Sequence, residues 1–205
     1  MSNYSLVSWV QLTVTRLSAS ERRNRINLFV PAAPVPERLP GVRVSVAGRQ
    51  RHAHSQSGKK KNAETKGPTV LGMIQNNAGE GLNIVIMNGK TGNITKTGHY
   101  NMYNNEVEPL IKFLKSIEDG SVVLIASWDE PSSNLNDEAK KLIADLGSSV
   151  VNSLGFRDNW LFVGGKGATV KSNFEKHLKN DPNLNKYEHW PELLELKGCI
   201  PKYMN

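Results

Sequence analysis

From about Leu71 onward the chain alternates between short apolar runs and polar punctuation. Leu82, Ile84 and Ile86, interleaved with Asn83, Val85 and Met87, make a nearly continuous apolar stretch. Such a run suits a strand covered on both faces. Asn88-Gly89 is a strong hairpin signal, and Asn93 to Tyr100 reads as the partner strand. Asn105 then opens a helix, with Glu108 three residues on as in a capping box. Val107, Leu110, Ile111, Leu114 and Ile117 form its apolar stripe, and Asp119-Gly120 ends it. Val122 to Ala126 is a second buried strand, running into Trp128-Asp129-Glu130-Pro131.

A second helix is predicted from Asn136, where Asp137 and Glu138 favour the positive end of its dipole. Ala139, Leu142, Ile143 and Leu146 form its buried face, and Gly147 is a fitting stop. Trp160 to Val163 is a third buried strand. Ser172 with Glu175 signals a short third helix, and Leu193 to Ile200 a last strand. The expected order is β-β-α-β-α-β-α-β, an α/β or α+β sheet-and-helix domain over residues 71–203.

Residues 1–70 read differently. Leu6 to Val14 is apolar but interrupted by Ser8, Gln11 and Thr13, with no basic segment before it, so it makes a poor secretory signal. Pro31, Pro34, Pro36 and Pro40 disfavour helix and sheet. Arg49 to Lys66 is basic and polar, a composition that buries too little surface to offset chain entropy. The expectation is a disordered, basic leader.

Charge follows the same division. The 205-residue chain has 26 Lys and Arg against 19 Asp and Glu, a net +7. Residues 1–70 hold 12 of the basic and 3 of the acidic side chains, leaving 14 and 16 for the domain. A nucleic-acid reading therefore falls on residues 49–66, with Lys59 to Lys61 at its centre, and not on the domain. On that alternative the chain is an intracellular protein whose basic tail binds nucleic acid. No apolar run reaches the ~20 residues of a membrane span.

Catalytic signatures are sparse. Asn88-Gly89-Lys90-Thr91 lacks the earlier glycine of a phosphate loop, a position held by Ile84. The histidines lack the i, i+4 spacing of a helical zinc site. Asp129 and Glu130 are adjacent on an extended segment, where neighbours point to opposite faces, so they make a poor acid–base pair. No enzyme activity and no cofactor are expected. Binding fares better. Asp129 follows one buried strand and Arg157 precedes another, so neighbouring strands would bring a carboxylate and a guanidinium together at one sheet edge. Sugar hydroxyls donate and accept at once, which suits such a pair beside an aromatic face such as Trp128. The same two residues could equally form a structural ion pair. Trp160 and Trp190 read as packing residues.

Several blocks together resemble the ILEI/PANDER family and its GG-type lectin domain. They are Gly81-Leu82-Asn83-Ile84, Asn88-Gly89-Lys90-Thr91-Gly92, Leu135-Asn136-Asp137-Glu138-Ala139 and Leu154-Gly155-Phe156-Arg157-Asp158-Asn159-Trp160. Val163-Gly164-Gly165-Lys166-Gly167, Trp190-Pro191-Glu192 and Gly198-Cys199-Ile200-Pro201 extend the match across residues 71–203. The resemblance implies two packed β-sheets flanked by three short helices. It implies secretion and cytokine-like or hormone-like signalling through a cell-surface receptor or glycan, without an enzymatic step.

A related lectin domain in a protein O-mannose glycosyltransferase binds sugar, and its acidic and basic contacts fall on Asp129 and Arg157. Where the family usually has an arginine at a third sugar position, this chain has Glu80, which reverses the charge. The family's N-terminal segment has three further cysteines, one expected to pair with the position of Cys199. Here Cys199 is the single cysteine, expected as a free thiol able to link two chains. Asn93-Ile94-Thr95 is an N-glycosylation sequon in a hairpin, and Asn3-Tyr4-Ser5 a second in the leader.

Overall fold

The computed structural model describes residues 8–17, 41–49, 78–185, 190–191 and 194–200. Strands β1 (Ser8–Leu17) and β2 (Gly41–Arg49) pair in parallel. Both lie within the stretch expected to lack structure. The period-two pattern Val42, Val44, Val46 is a strand signal that the nearby prolines overshadow. The Lys59–Lys61 run lies outside the described residues.

The strands that position the site are β3 (Gly81–Asn88), β4 (Ile94–Tyr100), β5 (Ser121–Trp128), β6 (Asn159–Gly165) and β7 (Glu175–Leu178). They form one sheet in the order β4-β3-β5-β6-β7, with every pair antiparallel. The last strand, β8 (Leu194–Ile200), pairs antiparallel with β1 and completes a three-stranded sheet, β2-β1-β8. β1 and β2 approach β5, and β8 approaches β6 and β7, so the two sheets pack together.

The larger sheet is covered on both faces, which is why its strands read as continuous apolar runs although it is antiparallel. One face sends Val85, Met87, Leu124, Ala126, Leu161 and Val163 toward Leu196 of β8. The other sends Leu82, Ile84, Ile86, Val123, Ile125, Trp160 and Phe162 under helices α1 (Glu108–Lys115) and α2 (Asp137–Ala144). Each such side chain contributes about 1.5–3 kcal/mol when fully withdrawn from water.

Two local expectations change. Asn105 is not the cap of α1. Val107 occupies that position without a side-chain hydrogen bond, and Pro109 sits in the first turn. A proline lacks one of the orphan N–H groups and presets the helical φ, which reduces the need for a capping side chain. Around Ser172 there is no helix either. Ser172 Oγ donates to the Val163 carbonyl and accepts from the Phe174 N–H, and the chain continues into β7 at the sheet edge. Edge pairing with β6 outweighs the local Ser-x-x-Glu signal. Among the described residues the helices are therefore α1, α2 and a single 3-10 turn at Val151–Ser153. At α2 the expectation holds, because the Asn136 side chain accepts from Ala139 N at 2.9 Å.

Candidate functional site

In an antiparallel sheet, strands that end and strands that begin share an edge. The starts of β3 and β6 and the ends of β4, β5 and β7 therefore converge at one end of the larger sheet. Gly81 stands opposite Trp128, so Glu80 and Asp129 leave adjacent strands at that end. Ala126 stands opposite Leu161, which brings the loop Leu154–Asp158 alongside Trp128–Pro131.

Glu130 joins these loops. It is 3% exposed, and its carboxylate accepts from Ser132 N at 2.6 Å, Ser132 Oγ at 2.8 Å and Ser133 N at 2.8 Å. Its other oxygen accepts from Arg157 N at 2.6 Å. A buried carboxylate is tolerated because charge-assisted hydrogen bonds replace its water. Asp158, which directly follows Arg157, ties down the same loop from its other side. It accepts from Gly155 N and Asn180 N, both at 2.8 Å, and pairs with His177 Nε2 at 2.6 Å.

The backbone held by these contacts is unusual at two places. Asp129 has φ 63° and Arg157 has φ 60°, the only left-handed non-glycine residues among those described. Such conformations cost of order 1–3 kcal/mol and persist where the surroundings over-determine them. The Arg157 guanidinium lies 4.3 Å from the Trp190 ring centre and 5.0 Å from that of Phe156. Its Nε is buried without a hydrogen-bond partner.

Glu80 is exposed, and its carboxylate accepts from Asn101 Nδ2 at 3.3 Å. Trp128 packs against the inter-sheet core, and Trp160 is fully buried with its Nε1 donating to Glu175 at 2.9 Å. Trp190, expected to be a packing residue, packs against the arginine guanidinium. Burial pushes the nearby Tyr100 hydroxyl up to about 12, so it remains a neutral phenol.

The family model described as Interleukin-like EMT inducer matches residues 80–168, a stretch that begins at Glu80 and contains Asp129 and Arg157. The domain belongs to this family. Protein FAM3C of Danio rerio is 58% identical over 132 residues, covering 64% of this chain and 58% of its own. Protein FAM3C of Homo sapiens is 52% identical over 133 residues, covering 65% and 59%. Protein FAM3D of Homo sapiens is 49% identical over 146 residues, covering 68% and 65%. The chain thus spans somewhat under two thirds of the length of the curated relatives it matches.

Other features of this interleukin-like EMT inducer domain fall elsewhere. Asn93 is exposed in the β3–β4 hairpin at the opposite end of the sheet, and its N–H donates to Thr91 Oγ1 at 3.2 Å. Beside that hairpin is an open cleft of about 410 Å³ lined by Lys90, Thr95, Lys96 and Ser116 among others. Cys199 lies in β8 opposite Trp9, and its side chain is outside the described residues. Among the described residues no three metal-ligating side chains gather, and no helix is long and apolar enough to cross a membrane. Sequence reasoning missed Glu130, which it read only as half of a poor acid–base pair. The following Pro131-Ser132-Ser133 was the available signal, since a turn of small residues offers N–H groups to a carboxylate.

Proposed function

We propose that the chain acts as a secreted, cytokine-like signal whose interleukin-like EMT inducer domain binds carbohydrate, free or on a cell-surface receptor, without a covalent step. One observation carries this reading. The two residues singled out by the lectin resemblance, Asp129 and Arg157, are also the two that, among the described residues, hold left-handed backbone without being glycine. Glycine would be easier at either place, so the side chains themselves are what the strain retains. A carboxylate and a guanidinium offer acceptors and donors to vicinal hydroxyls, and the rings beside Arg157 offer an apolar wall.

NMR titration of the full chain with simple sugars tests the site. Shifts are expected around Asp129 and Arg157, with weak affinity because the site is open to water. Arg157→Ala is expected to abolish them while leaving the fold intact, since losing a charged hydrogen-bond partner costs ~1.5–3 kcal/mol. Glu80→Arg is expected to strengthen binding by replacing an acceptor with a donor. An Arg157→Ala protein that unfolds would assign the arginine to structure instead.

Export has its own test. Asn93 is accessible in a hairpin, so secretion from mammalian cells is expected to add a glycan there. Glycosidase treatment should then lower the mass, and Asn93→Gln should remove the difference. A secreted protein without that mass shift would rule out use of the site. In the same oxidising setting Cys199 is the thiol available for linking two chains.

A further inference from the structure

Two large aromatic side chains at the same end of the sheet are left in water. Tyr103 is 59% exposed and Phe156 48% exposed, although they come from different loops. Their ring centres are 6.4 Å apart, tilted by 48°. Phe156 also touches the Arg157 guanidinium, so Tyr103, Phe156, Arg157 and Trp190 form one continuous series of planes. The series runs outward from the candidate sugar site, with Tyr103 at its far end.

The loops that present these rings are braced. Asn101 Oδ1 accepts from Tyr103 N at 2.8 Å and from Asn104 N at 3.1 Å. Asn134 Nδ2 donates to the Tyr103 carbonyl at 3.3 Å and to the Asn105 carbonyl at 2.9 Å. On the other loop, Asp158 N donates to the Gly155 carbonyl at 3.2 Å, closing the turn that holds Phe156. Loops held this way lose little backbone freedom when a ligand settles on the rings they carry.

We infer that Tyr103 and Phe156 form a second subsite, which takes the next ring of an oligosaccharide whose first ring sits at Asp129 and Arg157. This rests on the carbohydrate reading above and narrows it to ligands of at least two sugar units. The surroundings favour a sugar over an apolar peptide. The loop that carries Tyr103 is polar around the ring: Asn101 accepts from the Tyr103 and Asn104 N–H groups and donates to the exposed Glu80 carboxylate. An aromatic face is electron-rich and attracts the polarised C–H groups of a pyranose, while amides at the border match its hydroxyls.

The test uses the full chain and pairs of probes: glucose with cellobiose, galactose with lactose, and N-acetylglucosamine with its disaccharide. For at least one pair the disaccharide is expected to bind about tenfold more tightly, equivalent to ~1.4 kcal/mol. Amide shifts at Tyr103 and Phe156 should appear with that disaccharide and not with its monosaccharide. Tyr103→Ala, which leaves the contacts of Arg157 in place, should return the disaccharide to monosaccharide affinity. Equal affinity within every pair, or a Tyr103→Ala protein unchanged toward the disaccharide, would overturn the subsite alone. Absence of binding by every probe would overturn the carbohydrate reading and the subsite with it.

Discussion

Glu130→Ala should be among the most damaging single substitutions in this domain, costing about 3–5 kcal/mol. Four donors rely on that carboxylate, and three of them are backbone N–H groups of Ser132, Ser133 and Arg157. Alanine leaves these donors facing a void where water enters poorly, since Glu130 is 3% exposed. Each unsatisfied buried group costs about 1–3 kcal/mol, and partial exposure of Ser132 and Ser133 keeps the total below the sum. Glu130→Gln should cost less, about 1.5–3 kcal/mol, because one acceptor oxygen remains while an amide N–H faces another donor. Urea denaturation of the two variants checks the order. Because Arg157 N is one of the donors, both variants should also weaken sugar-induced shifts more than their stability loss explains. A Glu130→Ala protein as stable as the parent would show that Arg157 holds its conformation without this carboxylate.

Gly81→Ala is expected to be comparably severe for a different reason. Gly81 has φ +94°, and a Cβ there would stand 1.9 Å from the Tyr100 carbonyl oxygen and 2.8 Å from Asn101 Cα. Both obstacles are backbone, so relief requires β3 and β4 to separate where they enter the site. Gly120 supplies the control. It has φ +78° but nothing within 4 Å of the added Cβ. Gly120→Ala should therefore pay only the left-handed backbone cost, about 1–2 kcal/mol. Denaturant unfolding of the pair separates steric clash from dihedral strain, with Gly81→Ala expected to be less stable by a further ~2 kcal/mol or more. Equal midpoints would mean that the strand end yields without resistance.

Much of the fold was legible because its signals are local. The runs at Leu82–Met87, Val122–Ala126 and Trp160–Val163 became β3, β5 and β6, since a strand buried on both faces leaves no polar alternation to misread. Asn136 capped α2 as its side chain demands, with one short-range hydrogen bond. The errors came where a distant partner overrode a local signal. Ser172 and Glu175 look like a helix start, yet Glu175 is claimed by Ser148, Ser149 and Trp160 from elsewhere in the chain. Strand β1 pairs with β2 on one side and with the distant β8 on the other, so proline counts in the segment between β1 and β2 misled.

The candidate site divides in the same way. By itself the sequence determined the two buried strands whose ends present Asp129 and Arg157, and the ordered motif blocks that mark the family. It also determined that an acidic residue, Glu80, stands just before β3, because residue identity needs no coordinates. Only the tertiary structure decided that Glu130 clasps the Arg157 backbone, that Asp129 and Arg157 share left-handed geometry, and that Trp190 underlies the guanidinium. It alone brought Tyr103 to Phe156 across 53 positions of sequence. Propensity and periodicity report on neighbours within a few residues, whereas these contacts arise from antiparallel pairing that gathers loops far apart in the chain at one sheet end.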